Sequence, residues 1–230
     1  MPITHYLSQP AIARALPWPL ALPSWQRGLR WAGLAVGLCM MFDGAWIQAK
    51  AQLAQFLIAS AWASQVEQNT QAENRSAATA LAISKPWPWA DTWPVARLQF
   101  AQHDIDLFVL DGAHGSALAF GPGRLHGTAD PGEAGVSVVG GHRDTHFRFL
   151  AEVAAGDRLS VTNQMGEVQE YQVFDMAVVD SRVTPLTAHA QDDELILVTC
   201  YPFDALQAGG PMRYVVRAEK MEASTQEYGS

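Results

Sequence analysis

One cysteine, Cys200, closes a strand-like segment and is placed for nucleophilic chemistry. The segment reads Glu194-Leu-Ile-Leu-Val-Thr-Cys-Tyr-Pro-Phe203, and its apolar run has the length of a strand that is covered on both faces. Pro202 has no amide proton, so it ends the strand ladder just after the cysteine. The thiol is therefore predicted at the end of a buried strand, near the surface. Taken alone, the segment also fits a structural cysteine in the core.

Two other strand-like segments carry a histidine and an arginine at their ends. The histidine closes Val136-Ser-Val-Val-Gly-Gly-His142, and the arginine opens Arg213-Tyr-Val-Val-Arg217. A thiol nucleophile needs a proton partner, and a thioester intermediate needs a donor or a cation for its oxyanion. Cys200, His142 and Arg213 together are thus a sufficient set for acyl transfer.

These three segments resemble the catalytic motifs of sortases. Leu197-Val198-Thr199-Cys200 is similar to the family's Leu-x-Thr-Cys signature, and Arg213 follows the cysteine by thirteen residues. Gly141-His142-Arg143-Asp144 is similar to the histidine segment of the family. Two further details, Cys200-Tyr-Pro-Phe203 and Gly121-Pro-Gly123, resemble the sortases of marine Gram-negative bacteria, a class GN-like group. The resemblance therefore points to a cysteine transpeptidase.

The resemblance implies a role for each residue. Cys200 would attack the carbonyl after the threonine of a Leu-Pro-x-Thr-Gly-like signal and form a thioacyl enzyme. His142 would protonate the leaving amine and later deprotonate the incoming amine, while Arg213 would stabilise the oxyanion and hold the substrate. Thr199 is expected to line the same groove and bind substrate. The partners would be a secreted protein with a C-terminal sorting signal and an amine acceptor.

The chain from Val95 onward has the short alternating segments of a mainly β domain. Turn signals such as Asp111-Gly112 separate the predicted strands, which are Val95–Ala101, Ile105–Leu110, Val136–Gly140, Arg158–Asn163, Val168–Val179, Leu195–Thr199 and Tyr214–Ala218. This pattern alone predicts a barrel or a sandwich. The sortase resemblance, which covers roughly Val95 to Glu219, implies a closed eight-stranded barrel. The family often has threonine where this chain has Ile196.

A membrane anchor is predicted before the β domain. The mostly apolar span from Trp31 to Ile47 would reach about 25 Å as a helix, close to the thickness of the hydrocarbon core, although Asp43 is costly inside a bilayer. Three arginines precede the span and Lys50 follows it, which predicts a cytoplasmic N-terminus. The chain would then be a single-pass protein of the inner (cytoplasmic) membrane with its catalytic domain on the periplasmic side. A cleaved signal peptide is the alternative.

These features predict four regions, namely residues 1–30 as a cytoplasmic segment, 31–48 as the anchor, 49–94 as a helical stalk with a Pro/Trp-rich linker, and 95–230 as the catalytic domain. Ala49 to Val66 has Leu53, Phe56, Leu57 and Ala61 at helical spacing, which predicts a short amphipathic helix that either lifts the domain off the membrane or packs on the domain. The polar stretch from Glu67 to Ala80 is a linker or a frayed helix end.

Asp91-Thr-Trp93 lies in the Pro/Trp-rich linker and has two interpretations. Some sortases keep an Asp-x-aromatic lid over the active site, and this segment fits that description. Its tryptophan fits equally a plug at the barrel edge or a contact with the membrane surface.

Composition and spacing argue against nucleic-acid and metal functions. The net charge is −8, with nine basic and nineteen acidic residues from Arg97 onward, so nucleic acid is excluded as a partner of this part. His142 and His146 form His-x-x-x-His, but Arg143 stands where a zinc protease needs glutamate. No metal or cofactor is expected. Gln191-Asp-Asp-Glu194 is predicted to be a solvated loop, with calcium binding as an alternative.

Three other functions stay open on these residues. An L,D-transpeptidase also uses cysteine, histidine and arginine, but its cysteine normally follows Ser-His-Gly, whereas Val198 and Thr199 precede Cys200 here. A cysteine peptidase or hydrolase would share the chemistry and use water as the acceptor. A membrane-tethered β-barrel adaptor would not be an enzyme, and its Cys200 would belong to the core.

Overall fold

The computed structural model describes residues 24–74, 81–187, 193–205 and 209–222. Most of the predicted cytoplasmic segment and the pair Gln191–Asp192 lie outside the described residues. The chain forms two compact units, residues 1–48 and 49–230. The predicted division into four regions stays a prediction.

The predicted anchor and the predicted amphipathic helix are parts of one helix, α1 (Ser24–Asn74). No proline or glycine interrupts residues 45–74, so nothing in the sequence ends the helix between the two segments. The polar stretch after Val66 also continues the helix, through Asn74. By length and composition, Gly28–Glu73 is able to cross a membrane, and its apolar window is not buried inside the protein.

The part of α1 beyond residue 48 packs on the β domain, which is the second of the two alternatives. Its buried side chains recur at helical spacing and are Ala54, Ile58, Ala61, Trp62, Gln65 and Asn69. Of the apolar stripe that was predicted, Ala61 is buried and Leu57 is half-buried, whereas Leu53 and Phe56 are exposed, so the stripe is wrong at these two positions. The buried stripe includes two amides because Gln65 donates to the Pro94 carbonyl at 3.0 Å and Asn69 donates to the Gln164 carbonyl at 3.1 Å.

The eight strands form a closed barrel in the order β1-β2-β3-β4-β7-β8-β6-β5, with β1 and β5 closing the ring. Two neighbouring pairs, β2 with β3 and β4 with β7, are parallel, and the others are antiparallel. The predicted eight-stranded barrel is confirmed. The strands are β1 (Pro94–Phe100), β2 (Ile105–Asp111), β3 (Gly123–Arg124), β4 (Ser137–Gly140), β5 (Arg158–Thr162), β6 (Val168–Asp180), β7 (Glu194–Cys200) and β8 (Met212–Lys220).

Three shorter elements complete the described fold. A one-turn helix, α2 (Gly115–Leu118), precedes β3, and two 3₁₀ turns lie at Ala101–His103 and Arg148–Ala151. Strand β3 has two residues, too few to show an alternating pattern, so it was not among the predicted strands.

Strand β7 is covered on both faces, as its apolar run predicts. Leu195 and Leu197 point into the core that fills the barrel, where they join Val139 and Val216. The alternate residues belong to a second apolar cluster on the other face, which consists of Val138, Ile196, Val198 and Val215. Because successive side chains of a strand alternate between faces, Cys200 lies on the side of Ile196 and Val198.

The prediction of a solvated acidic loop is wrong at Glu194. Glu194 is the first residue of β7, its side chain has no exposed surface, and it accepts two hydrogen bonds from Arg217, Nε to Oε1 at 2.6 Å and Nη2 to Oε2 at 3.1 Å. Hydrogen bonding to this carboxylate raises the pKa of Arg217. This ion pair was not predictable from the sequence, because Glu194 and Arg217 are 23 residues apart and meet only through the register of β7 with β8.

Removing this guanidinium is expected to destabilise the domain. Arg217→Ala deprives the buried Glu194 carboxylate of its bidentate donor, which lowers the free energy of unfolding by about 3–5 kcal/mol. Urea unfolding of the chain in detergent, followed by circular dichroism, measures the loss.

The matched control is Arg182→Ala, which removes a guanidinium that also contacts a carboxylate, Asp180, but is 72% exposed. Water and salt screen such a pair, so this variant should unfold at the same urea concentration as the wild type. Equal effects of the two substitutions would contradict the importance assigned to the buried pair.

The Asp91–Trp93 segment is bound to the body of the barrel. Asp91 accepts a hydrogen bond from the Ser116 hydroxyl at 2.7 Å, and Thr92 donates to the Asp111 carbonyl at 2.8 Å. Trp93 packs against the core inside the barrel. These contacts agree with the plug at the barrel edge that the sequence left open, and the lid stays a hypothesis.

Candidate active site

Strand β7 brings the cysteine between the two segments that carry the histidine and the arginine. On one side, β7 runs parallel to β4, and Val198 lies opposite Gly140. The Gly141 amide donates to the Val198 carbonyl, so His142 follows where the chain leaves β7 at the end that carries Cys200. On the other side, β7 runs antiparallel to β8, and Cys200 lies directly opposite Arg213. The fold thus gathers all three predicted catalytic residues at one edge of the barrel.

Cys200 and Arg213 point to the same face of the sheet. Residues directly opposite each other in an antiparallel pair share a face, and their Cβ atoms are about 4.5–5.5 Å apart. The thiol is half-buried, so a substrate can reach it. This placement provides a nucleophile and a cation side by side above the apolar cluster of Ile196, Val198 and Val215.

The Arg213 side chain is held at the start of its own strand. Nη1 donates to the Gly210 carbonyl at 2.6 Å and to the Met212 carbonyl at 2.9 Å. A guanidinium has five N–H donors, so these two bonds leave Nε and Nη2 for other acceptors. The guanidinium is therefore anchored through one nitrogen while its planar fork is able to bind an oxyanion.

The main chain at His142 is fixed by the glycine before it and the turn after it. The Gly141 amide donates to the Val198 carbonyl at 3.0 Å, which extends the contact of β4 with β7 by one residue. A Cβ at Gly141 would lie 2.7 Å from the ring of the buried Phe147, so only glycine fits there. The His142 carbonyl accepts from the Phe147 amide at 3.0 Å, and the imidazole side chain is exposed.

Thr199 makes a contact that the sequence did not predict. It is 2% exposed, and its hydroxyl donates to the Gly141 carbonyl at 2.7 Å. As the neighbour of Cys200 on the strand, it points to the opposite face, toward the inside of the barrel. Thr199 thus links β7 to the histidine segment, and its predicted contact with substrate stays a prediction.

The comparison with known proteins agrees with this arrangement. Residues 98–221, more than half of the chain, match the family model of the sortase domain. The chain belongs to the sortase family. Sortase D from Bacillus subtilis (strain 168) is 32% identical over 125 residues, which are 54% of this chain and 62% of that protein. This sortase therefore matches less than two thirds of the length of that relative.

Two solved structures share the fold of this sortase. Sortase A from Corynebacterium diphtheriae has a TM-score of 0.52 and 24% identity, and the match covers 78% of this chain and 95% of that chain. The Clostridium perfringens Sortase D5 transpeptidase has a TM-score of 0.52 and 20% identity, with coverage of 71% and 99%. Family membership confirms the sequence resemblance, sets the L,D-transpeptidase alternative aside, and leaves the class GN-like assignment a prediction.

Sequence reasoning missed an aromatic group beside the cysteine of this sortase. The rings of Tyr201 and Tyr214 stack at 6.3 Å, and the Phe203 ring meets Tyr214 edge-on at 5.2 Å. Phe203 and Tyr214 also pack against the core, and Tyr201 directly follows Cys200, so the group lies beside the cysteine. Burial, followed by the charge of Tyr201, raises the pKa of Tyr214. The sequence signal for this aromatic group was the Tyr-Pro-Phe segment that directly follows Cys200.

The role of Arg143 was also missed, since the sequence marked it as a member of the histidine segment and as a departure from a zinc motif, without a contact of its own. Arg143 is buried, and its guanidinium binds the loop that leaves Cys200. A cavity of about 490 Å³ lies beside it, between the histidine segment and that loop. Asp144, Glu152, Phe203 and Asp204 are among the residues that line the cavity.

Proposed function

We propose that this sortase is a membrane-anchored cysteine transpeptidase. It cleaves a Leu-Pro-x-Thr-Gly-like signal near the C-terminus of a secreted protein and transfers the acyl group to an amine. The observation that carries the proposal is the placement of Cys200 opposite Arg213, with His142 at the same edge of the barrel. Membership of the sortase family and the described transpeptidase of Clostridium perfringens support the same activity.

Each residue has one role in the proposed reaction. The Cys200 thiolate attacks the carbonyl carbon after threonine, and the oxyanion that forms is bound by the Arg213 guanidinium. The C–N bond then breaks, and the leaving amine takes its proton from His142. An incoming amine gives a proton to His142, attacks the thioester and releases the thiolate, so the enzyme returns to its starting state.

The apolar part of α1 is the proposed membrane anchor. It is long and apolar enough to cross a bilayer, and the surplus of arginines before it orients the N-terminus to the cytoplasm. The catalytic domain then lies on the periplasmic side of the inner membrane, where a secreted substrate passes.

The test of the function separates transfer from hydrolysis. The full chain in detergent is incubated with a library of short sorting peptides, with and without a primary amine such as triglycine. A transpeptidase yields the amine-linked product, and its share of the total rises with amine concentration. Cleavage that gives only the free acid at every amine concentration would identify a hydrolase. Absence of cleavage of every peptide would contradict the proposed activity.

The dependence of kcat/KM on pH is expected to be bell-shaped. Attack requires a deprotonated thiol, while protonation of the leaving amine requires a protonated imidazole, so kcat/KM should fall at both low and high pH. Initial rates with a fluorescent sorting peptide from about pH 5 to 10 measure the profile.

The histidine limb of this profile is assigned to His142 rather than to His146. Burial, and then the charge of His142, lower the pKa of His146, so His146 is neutral above its ordinary value of 6.5. His146→Gln should therefore keep the bell-shaped dependence of kcat/KM on pH. His142→Gln should remove the fall of kcat/KM at one end of the profile, together with most of the rate. A flat profile in the wild type from about pH 6 to 9 would contradict control by Cys200 and His142.

A further inference from the structure

Arg143 is a buried side chain that the proposed reaction does not use. It is 6% exposed, and it donates through Nη1 to the Pro202 carbonyl at 2.6 Å and through Nη2 to the Ala205 carbonyl at 2.7 Å. Both carbonyls belong to the loop that follows Cys200. A guanidinium is costly to bury unless its donors are bonded, so these bonds determine where the loop lies.

The described part of the loop has few backbone hydrogen bonds of its own. In its described part, residues 201–205, the Tyr201 amide donates to the Met212 carbonyl at 3.1 Å and the Ala205 amide to the Pro202 carbonyl at 3.4 Å. Pro202 has no amide to donate. The bonds from Arg143 are shorter and charge-assisted, and such bonds are about twice as strong as neutral ones.

Residues on both sides of His142 bind residues on both sides of Cys200. Before the histidine, the Gly141 carbonyl accepts from the Thr199 hydroxyl at 2.7 Å. After the histidine, the Arg143 guanidinium binds the Pro202 carbonyl. The main chains that carry the imidazole and the thiol are therefore tied to each other at two points, one on either side of the pair.

We propose that Arg143 is the positioning residue of the Cys200–His142 pair. By holding the loop against the histidine segment, it keeps the thiol and the imidazole at the separation at which a proton passes between them. It acts through the two main chains and not on the substrate. The proposal rests on the proposed function for the roles of Cys200 and His142. The hydrogen bonds between the two segments do not depend on that function.

The decisive variant is Arg143→Lys, with Arg143→Ala beside it. Lysine keeps the charge but lacks the planar fork that reaches two carbonyls at once, and a displacement of about 1 Å is able to reduce a rate by about 10²-fold. We expect kcat to fall about 10- to 100-fold in Arg143→Lys and further in Arg143→Ala. The KM for the sorting peptide should change by less than about threefold, because Arg143 does not bind the substrate.

A second readout needs no substrate. The rate at which iodoacetamide alkylates Cys200 is measured against pH in the full chain in detergent, with the alkylated residue identified by peptide mapping. Loss of the hydrogen bonds from Arg143 to the loop separates the thiol from the imidazole, so the pH dependence of alkylation should shift in both Arg143 variants. Arg148→Ala is the matched control, because Arg148 belongs to the same segment and is exposed. It should alter neither kcat nor the alkylation profile.

The outcomes separate this proposal from the proposed function. An Arg143→Lys variant that keeps the wild-type kcat and alkylation profile would overturn the positioning role. Should Arg143→Ala fail to fold, Arg143→Lys alone decides, and failure of both to fold would assign Arg143 a structural role instead. A wild-type chain that cleaves no peptide would contradict the proposed function, yet its alkylation profile would still test Arg143.

Discussion

Cys200→Ala is expected to reduce cleavage of every sorting peptide to the uncatalysed background. The proposed reaction forms its only covalent bond to the enzyme at this thiol, and Cys200 is the one cysteine among the described residues of the β domain. Initial rates with a fluorescent peptide, measured on the full chain in detergent, test the prediction. Circular dichroism verifies that the variant is folded.

The chain supplies its own control in its other cysteine. Cys39 lies on α1 in the first unit, is exposed, and has no part in the proposed chemistry. Cys39→Ala should therefore keep the wild-type rate. Activity that survives in Cys200→Ala, or that is lost in Cys39→Ala, would show that the nucleophile has been assigned to the wrong residue.

Arg213→Ala is expected to lower kcat at least about a hundredfold while the domain stays folded. Loss of one oxyanion donor typically reduces kcat by about 10²–10³-fold. Arg213 is the cation directly across the ladder from Cys200, so it is placed for this role. Arg213→Lys should recover only part of the rate, because lysine keeps the charge and loses the fork. Steady-state rates of the three proteins, at saturating peptide, provide the measurement.

The comparison with Arg217 tests whether the effect belongs to this position. Arg217 shares the face of Arg213 but lies opposite Ile196, four residues along the strand from Cys200, and binds Glu194. Arg217→Ala should therefore act on stability, and its kcat per folded molecule should change by less than about tenfold. A greater loss of kcat in Arg217→Ala than in Arg213→Ala would reverse the assignment.

The strands of the barrel were predictable where their residues alternate or form a long apolar run. Strand β7 is the best case, because its run of four aliphatic residues ends two residues before Cys200, and Pro202 then prevents further pairing. Strand β3 was not predictable, since two residues carry no period and its pairing depends on neighbours. The polar part of the buried stripe of α1 was missed for a related reason: the amides of Gln65 and Asn69 are buried by hydrogen bonds that only the folded chain supplies.

The members of the site were predictable, but the contacts that support them were not. Cysteine, histidine and arginine each stand at a strand end, and the residue types alone indicate acyl transfer. The register that puts Arg213 opposite Cys200 depends on the path of the loop between them. The burial of Arg143 and Glu194 was not predictable, because a sequence does not show which carbonyl or guanidinium will bond these side chains inside the fold.

Detection of a thioacyl enzyme on Cys200 is the most direct test of the proposed acyl transfer. The full chain is mixed with a sorting peptide in the absence of added amine, quenched in acid within its first turnovers, digested, and examined by mass spectrometry. We expect the peptide that contains Cys200 to carry the acyl fragment ending in threonine, and we expect hydroxylamine or triglycine to remove this fragment as the corresponding product. Turnover without an adduct on Cys200, or with the adduct on any other residue, would contradict the proposed acyl transfer.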